Sequence, residues 1–228
     1  MLDELKAAVC QANRDLVRHH LVTLTWGNVS GLDRARGLVV IKPSGVPYES
    51  LQPADMVVID LDGQPVEGKF RPSTDASTHV LLYRSFDGIG GIAHAHSRYA
   101  TMFAQARREI PCLGTTHADH FHGPVPVTRA LTEAEVGDYE HNTGAVIVER
   151  FAGLDPQAMP AVLIAGHGPF TWGANAAEAV RNAVALEAVA EMAVGTRLLN
   201  PAAPDLEACI LNKHHHRKHG PGAYYGQK

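Results

Sequence analysis

Six short apolar runs, rich in Val, Ile and Ala, constrain the fold of this 228-residue chain more than any other feature. Each run is bounded by Gly, Pro, Asp or other turn-forming residues and has the length of a buried strand rather than of a helix. The sequence therefore predicts a β-sheet built from short strands. The runs lie at residues 37–42, 56–60, 91–96, 125–128, 145–149 and 161–165.

Helical patterns precede, separate and follow these runs. The longest begins at Asn175, a favourable N-cap residue, and Glu178 stands three residues further on, as in a capping box. Strands in the middle of a chain with helices on either side favour layers of helix packed on a sheet. We therefore predict an α/β/α three-layer domain around one mixed sheet, as a single domain over residues 1–228. The predicted helices cover about 2–20, 75–85, 97–107 and 175–198, with a last one from Pro204 toward Lys213.

Composition excludes several classes of function. A formal net charge of −4 and a pI near 6.4 provide no basic surface for nucleic acid. No apolar run approaches the ~18 residues of a membrane span, so no membrane partner is expected. Cys10, Cys112 and Cys209 are widely spaced and odd in number, which is typical of reduced thiols. We predict a cytoplasmic protein without disulfides.

Three of the 14 histidines form the most informative pattern. His94 and His96 are two residues apart in an apolar run, so their side chains would leave a strand on the same face. His167 follows another apolar run, in a Gly-His-Gly sequence that lets the backbone aim the ring. Three imidazoles with one open position are typical of catalytic zinc, although other divalent ions also accept imidazole. The alternative is polar histidines on a solvated strand face and in a turn.

Three loops combine hydroxyl residues with glycine and could hold a phosphate. They cover residues 25–30, 42–45 and 71–75. Backbone N–H groups approach an anion closely at Gly, and Lys42 or Arg71 could add positive charge. Ser73, Thr74 and Asp75 also begin a helical pattern, where free N–H groups favour an anion. Ordinary turn chemistry, or capping by Asp75, is the alternative for each loop.

The segment 114–123 is dense in groups that can move protons. Asp119 could act as a general acid and base if burial brings its pKa toward the working pH. A solvated surface turn is the alternative. The basic tail after His214 ends in Tyr224 and Tyr225, and a frayed terminus is the default expectation for it.

Six ordered motifs resemble the L-ribulose-5-phosphate 4-epimerase family of the class II aldolase/epimerase superfamily, over essentially the whole chain. The motifs are TLTWGNVS at 23–30, IKPSG at 41–45, HAHSR at 94–98, GTTHAD at 114–119, HGPF at 167–170 and AYYGQ at 223–227. The resemblance implies an α/β/α fold around a largely antiparallel sheet. It also implies a homotetramer with sites at subunit interfaces, in which the tail, about 213–228, contributes to a neighbouring subunit's site.

The same resemblance implies roles for individual residues. One zinc ion would be bound by His94, His96 and His167, with Asp75 close to the metal and sometimes counted as a ligand. Asp119 and Tyr225 would carry protons. The remaining implied residues would bind the sugar phosphate or support its binding. They are Gly27, Asn28, Lys42, Ser44, Gly45, Ser73, Thr74, Thr115, Glu140, His214 and Arg217.

The implied reaction is inversion at C4 of L-ribulose 5-phosphate, giving D-xylulose 5-phosphate in L-arabinose catabolism. It would proceed by retro-aldol cleavage of the C3–C4 bond and aldol re-addition, with zinc as Lewis acid. Sister aldolases of the superfamily carry Glu where this chain has Asp75, which favours an epimerase. The alternatives are an L-xylulose-5-phosphate epimerase, a sugar-phosphate aldolase, and a non-catalytic scaffold domain.

Overall fold

A seven-stranded antiparallel sheet with strand order β4-β3-β2-β1-β5-β7-β6 forms the centre of the fold. The computed structural model describes residues 2–220 and 222–226. Gln227 and Lys228 of the predicted tail lie outside the described residues, as do Met1 and Pro221. The strands are β1 (Gly27–Asp33), β2 (Leu38–Ile41), β3 (Val57–Asp60), β4 (Pro65–Glu67), β5 (Gly91–Ala95), β6 (Ala161–Leu163) and β7 (Pro169–Gly173).

Seven helices accompany the sheet within the described residues, together with two 3-10 turns at Pro53–Asp55 and Glu133–Asp138. None of these helices combines the length and apolar character needed to cross a membrane. The helices are α1 (Leu2–Arg18), α2 (Ala76–Ser85), α3 (Arg98–Ala106), α4 (Thr115–Ala118), α5 (Tyr139–Arg150), α6 (Ala176–Leu199) and α7 (Ala208–Lys218).

Two apolar cores on opposite faces of the sheet produce the predicted three-layer architecture. Successive strand residues point to opposite faces, so Val39 and Ile41 enter one core and Val40 enters the other. The first core contains side chains of α2, α3 and α5 and of the second half of α6. The second core contains α1 and the first half of α6. The α/β/α prediction is confirmed. All neighbouring strands of the sheet pair antiparallel, and the one parallel pairing among the described residues is an isolated bridge between Val127 and Leu163.

Local sequence accounts for the longest helix. The Asn175 side chain accepts a hydrogen bond from the Glu178 N–H at 2.9 Å, which confirms the predicted N-cap. Behind this cap, α6 buries Ala179, Ala183 and Leu186 against the sheet. Small residues near the start of α6 let the helix approach the sheet closely.

The structure corrects two predicted strands. Residues 145–149 belong to helix α5, because Val146 and Ile147 are buried on its helical face and Gly144 lies close to Leu81 and Thr78 of α2. Residues 125–128 form only isolated bridges, at Val125 and Val127. Strands β1, β4 and β7 were not predicted, and the last helix begins and ends later than predicted.

The sheet places four strand ends at one edge. Gly27 and Asn28 at the start of β1 pair with Ala95 and His94 at the end of β5. His94 also pairs with Phe170 at the start of β7. The end of β2 at Ile41 pairs with Ser30 of β1, so the 42–45 loop leaves the sheet on the same side. The candidate site lies at this edge.

Candidate active site

Three imidazoles converge at this edge of the sheet. His94 belongs to β5, His96 follows the end of β5 by one residue, and His167 lies in the turn between β6 and β7. Their ring centroids are separated by 5.0, 4.8 and 4.9 Å. One potential ligand nitrogen from each ring lies within 4.8 Å of the others. The donor set fits a divalent ion that accepts imidazole, with at least one coordination position left for substrate.

The hydrogen bond of His94 determines which of its nitrogens is available to a metal. Its Nδ1 lies 2.9 Å from the carbonyl oxygen of Pro169, and a carbonyl can only accept. The Nδ1 therefore carries a proton, which leaves Nε2 as the nitrogen that could bind a metal. The ring also stacks on Phe170, with centroids 4.2 Å apart. Such an outer contact orients a metal-binding imidazole and sets its tautomer.

His167 has a partner that the sequence did not indicate. Its Nδ1 lies 3.3 Å from the hydroxyl oxygen of Tyr139, the first residue of α5. Burial, together with His94 and His96, lowers the pKa of His167 to about 3. Burial likewise lowers the pKa of His96. Both rings are therefore neutral near pH 7, as metal ligation requires.

Asp75 lies beside the three imidazoles at the start of α2. Its carboxylate accepts a hydrogen bond of 2.6 Å from the amide nitrogen of Asn28. Burial raises the pKa of the Asp75 carboxyl, but His94, His79 and the Asn28 amide outweigh burial and hold that pKa below its ordinary value. Asp75 is therefore an anion placed next to the three imidazoles, where it would balance the charge of a cation.

Behind Asp75 lies a buried polar chain. His79 Nδ1 is 2.7 Å from the hydroxyl of Ser30, which is 2.8 Å from the hydroxyl of Tyr83. Burial lowers the pKa of His79 to about 3, so the ring is neutral. This chain fixes α2 against β1 at the level of the site.

Two of the three predicted phosphate loops, 42–45 and 71–75, are joined to each other by backbone contacts. The Ser44 N–H donates to the Arg71 carbonyl and the Ser73 N–H donates to the Lys42 carbonyl, each at 3.0 Å. The buried Lys42 ammonium donates to the carbonyl of Val46 at 2.7 Å, and burial lowers its pKa to about 8. Hydroxyl and N–H groups from both loops thus face one space.

That space is a cavity of about 550 Å³. The predicted residues along its wall include the three histidines and Asp75. The others are Gly27, Asn28, Lys42, Ser44, Gly45, Ser73, Thr74 and Glu140. At Gly27 the backbone has φ +147°, and a Cβ atom would lie 2.8 Å from the His94 carbonyl oxygen, so only glycine fits. A smaller apolar recess of about 300 Å³, between α3 and α6, contains none of the predicted residues.

The remaining predicted residues form a second group, which does not line this cavity. Asp119, at the end of α4, accepts hydrogen bonds from Arg217 Nε at 3.0 Å and Nη2 at 2.6 Å. His214 Nδ1 lies 3.0 Å from the same carboxylate, and Lys218 Nζ lies 3.4 Å from it. Thr115 begins α4, and its carbonyl accepts the Asp119 N–H at 2.9 Å.

The pKa of Asp119 does not shift toward the working pH, as the sequence analysis required for a general acid and base. Burial raises its pKa, but the hydrogen bonds from Arg217 and His214 and the charge of Lys218 bring that pKa down to about 2. Asp119 is therefore a carboxylate near neutral pH, able to accept a proton but not poised to donate one.

Tyr225 belongs to the second group. Its ring lies 5.0 Å from the Arg217 guanidinium and 4.6 Å from the Lys218 ammonium, and its N–H donates to the Arg217 carbonyl. The side chain is 62% exposed, so its hydroxyl is accessible to another molecule.

Four residues of the cavity wall were not among the predicted site residues: Thr25, Trp26, Pro43 and Tyr139. Trp26 is 53% exposed and its ring lies 6.4 Å from that of His96. Its position inside the motif at 23–30 could have identified Trp26 as a site residue. Tyr139 could not be identified in this way, because it reaches the site only through the packing of α5 on α2.

Comparison with known proteins assigns the class. Residues 7–194 match the family described as Class II Aldolase and Adducin N-terminal domain. The chain therefore belongs to this family. Curated relatives from Salmonella paratyphi B and Salmonella typhi, both named L-ribulose-5-phosphate 4-epimerase UlaF, are 55% and 54% identical to it over 228 residues. Each alignment covers 100% of both chains, and the predicted likeness to an isomerase of this family is confirmed.

Solved structures agree on the fold. A structure of L-fuculose 1-phosphate aldolase superposes with a TM-score of 0.81 at 26% identity, covering 92% of this chain and 94% of the other. YgbL from Klebsiella pneumoniae, described as a putative aldolase/epimerase/decarboxylase, gives a TM-score of 0.73 at 26% identity. That alignment covers 94% of this chain and 99% of the other.

Proposed function

We propose that this protein is an L-ribulose-5-phosphate 4-epimerase that uses a divalent metal, zinc by preference, and acts in pentose catabolism such as that of L-arabinose. The observation that carries the proposal is the cavity in which three converging imidazoles face two joined hydroxyl-bearing loops. The full-length likeness to relatives of that name supports the same substrate.

The histidines suit a metal that must also accept substrate. His94, His96 and His167 would hold it, and Asp75 would lie beside it as a counter-charge or a further ligand. When bound, the ion supplies Lewis-acid stabilisation of negative charge developing on substrate oxygens. Pro169 and Tyr139 would keep two of the rings oriented.

The joined loops would hold the phosphate. Ser44, Gly45, Ser73 and Thr74 offer hydroxyl and N–H donors at one end of the cavity, next to the start of α2. The charge of Lys42, held by the Val46 carbonyl, adds attraction for an anion. A firm grip on phosphate retains the glycolaldehyde phosphate fragment while its aldehyde turns to present the other face.

Asp119 and Tyr225 would move the C4 hydroxyl proton on opposite faces of the sugar. Breaking the C3–C4 bond removes the proton from the C4 oxygen and leaves an aldehyde there, and re-forming the bond on the other face returns a proton to that oxygen. The second group, which contains Asp119, does not line the cavity of its own chain. We therefore propose that this group completes the cavity of a neighbouring subunit. A homotetramer with interfacial sites would place these residues correctly.

A net aldolase is the second candidate, favoured by the fold match to an L-fuculose 1-phosphate aldolase. L-xylulose 5-phosphate is an alternative substrate, since it shares the phosphate and the ketose. A non-catalytic scaffold fits less well, because the three converging histidines have no role in one.

The direct test is an assay of zinc-loaded protein with L-ribulose 5-phosphate and, separately, with L-xylulose 5-phosphate. We expect D-xylulose 5-phosphate to form from the first sugar without free glycolaldehyde phosphate. His96→Asn should abolish this turnover, and His19→Asn serves as the matched control, because His19 is an exposed histidine just after α1 and does not line the cavity. Stoichiometric release of glycolaldehyde phosphate would identify an aldolase instead. Faster turnover of L-xylulose 5-phosphate would show that this sugar, and not L-ribulose 5-phosphate, is the preferred substrate.

A further inference from the structure

A second cluster of histidines lies outside the cavity, where α7 packs beside the segment that follows α4. Its members are His122, which comes three residues after Asp119, and His215 and His216, which are neighbours on α7. One nitrogen from each ring lies within 4.8 Å of the others, the same limit that the three cavity histidines satisfy. None of these residues has been given a role in the reaction.

We propose that His122, His215 and His216 form a second metal site, which binds a divalent ion of the imidazole-preferring class such as Zn²⁺ and clamps the segment after α4 to α7.

The rings already have nearly the required arrangement. Their centroids are 4.8 Å apart for His122 and His215, 6.0 Å for His122 and His216, and 5.9 Å for His215 and His216. Two nitrogens bound to one tetrahedral zinc ion at ~2.0–2.1 Å lie about 3.3 Å apart. Because His122 and His216 are exposed, small rotations of these two rings can close the remaining gap.

A buried unpaired atom independently indicates a missing partner. The His215 side chain is 7% exposed, and its Nδ1 has no hydrogen-bond partner among residues 2–220 and 222–226. Leaving a buried polar nitrogen without a partner costs free energy, which a bound ion would recover. Burial and the neighbouring His219, His122 and His216 rings lower the pKa of His215 to about 4, so its lone pair is free near neutral pH.

His122 has an outer support of the kind that metal-binding imidazoles use. Its Nε2 lies 2.8 Å from the side-chain oxygen of Asn212, one turn before His216 on α7. Since an amide oxygen only accepts, Nε2 carries a proton, which leaves Nδ1 as the nitrogen that could bind a metal.

The position of the cluster means that a bound ion would affect the segment that carries Asp119. The segment between α4 and His122 includes Asp119, and α7 carries the residues that hold Asp119. An ion that joins His122 to His215 and His216 therefore fixes the segment that bears Asp119 onto α7. The site would act on the placement of Asp119 without touching the cavity.

The test is zinc binding to metal-stripped full-length protein at micromolar zinc, followed by dialysis and elemental analysis. We expect about two zinc ions per chain in the unchanged protein and about one in each of His96→Asn, His216→Asn and His122→Asn. The double variant His96→Asn/His216→Asn should bind none, and His19→Asn should bind as the unchanged protein does. Because His96→Asn removes only the cavity site, a failure of that site and a failure of the second cluster give different stoichiometries.

Hydrogen exchange tests the clamp. Zinc should slow exchange of the amides in 119–123 and in α7 in the His96→Asn protein, and should leave them unchanged in His96→Asn/His216→Asn. The proposal is overturned if His216→Asn and His122→Asn keep the zinc content of the unchanged protein, if His96→Asn binds zinc only at millimolar concentration, or if zinc leaves exchange in 119–123 unaltered.

Discussion

At the scale of single residues, the candidate metal site depends on hydrogen bonds made by the ring nitrogens that would not bind the metal. His94 is bound to a backbone carbonyl, which no side-chain substitution can remove, whereas His167 depends on the Tyr139 hydroxyl. The site therefore has one fixed ring and one whose orientation is open to mutation. Outer contacts of this kind affect metal affinity although they do not touch the metal.

Tyr139→Phe is expected to weaken zinc binding at the cavity by about tenfold, because His167 loses the partner that holds its ring. Zinc affinity, measured by competition with a chromophoric chelator in the His216→Asn background, would report the change. Tyr99→Phe, a tyrosine on α3 outside the cavity, is the control. Equal affinities in Tyr139→Phe and the control protein would remove Tyr139 from the metal site.

At the scale of elements, α7 is held to α4 by the ion pairs of Asp119. The pKa of Asp119 is depressed to about 2, so the stabilisation is present above the ordinary aspartate pKa and is lost as pH falls through the folded-state pKa. The shift corresponds to about 2 kcal/mol of stability for a well-shielded carboxyl.

Asp119→Asn should therefore lower the free energy of unfolding by about 2 kcal/mol at pH 7, and the difference from the unchanged protein should shrink between about pH 4 and pH 2. Urea unfolding at a series of pH values would measure this. Asp62→Asn, whose carboxylate is exposed and pairs with Arg84, is the control and should have little effect. A constant difference from pH 7 to pH 2 would contradict the ion-pair account.

The elements that the sequence predicted correctly have local signals, whereas those it missed depend on contacts with distant parts of the chain. The N-cap of α6 and the run of β5 are local signals, and both were predicted from a few neighbouring residues. Strand β1 was interpreted as a loop because Gly27, Asn28 and Ser30 are poor strand formers, yet β2 and β5 on either side supply its hydrogen bonds. Helix α5 was predicted as a strand because Val146 to Val148 are β-branched, but packing against α2 overrides that preference.

For the site, the histidine pair could be predicted from spacing alone, since strand side chains two residues apart share a face. The approach of His167 could not, because it depends on the pairing of β7 with β5, more than 70 residues apart in the sequence. The resemblance supplied that long-range information. It also named Asp119 and Arg217, whose contact is another pairing that no local pattern indicates.

At the scale of the whole molecule, the proposed residues divide into two groups that one chain does not bring together. The metal and phosphate residues surround the cavity, while Asp119, Arg217 and Tyr225 lie at α4, α7 and the tail. A symmetric oligomer can bring one group of each subunit to the other group of its neighbour. The proposed chemistry thus calls for at least two subunits per site, which the proposed tetramer would supply.

Mixing two inactive proteins tests this arrangement. His96→Asn lacks the metal site and Tyr225→Phe lacks a proposed proton carrier, so each should have little activity alone, while Tyr225→Phe should keep the zinc content of the unchanged protein. If sites are shared between subunits, co-refolding equal amounts should restore about a quarter of the unchanged activity, since that fraction of sites combines two intact halves. Mixed samples no more active than the separate variants would place each complete site within one chain.

The central claim is that His94, His96 and His167 bind one metal ion at the cavity. The most direct measurement is the anomalous difference map of zinc-loaded crystals, recorded at the zinc absorption edge. We expect a strong peak about 2.0–2.1 Å from one nitrogen of each of the three rings. Crystals of fully active protein with no peak among these rings, or with the rings pointing apart, would contradict the account.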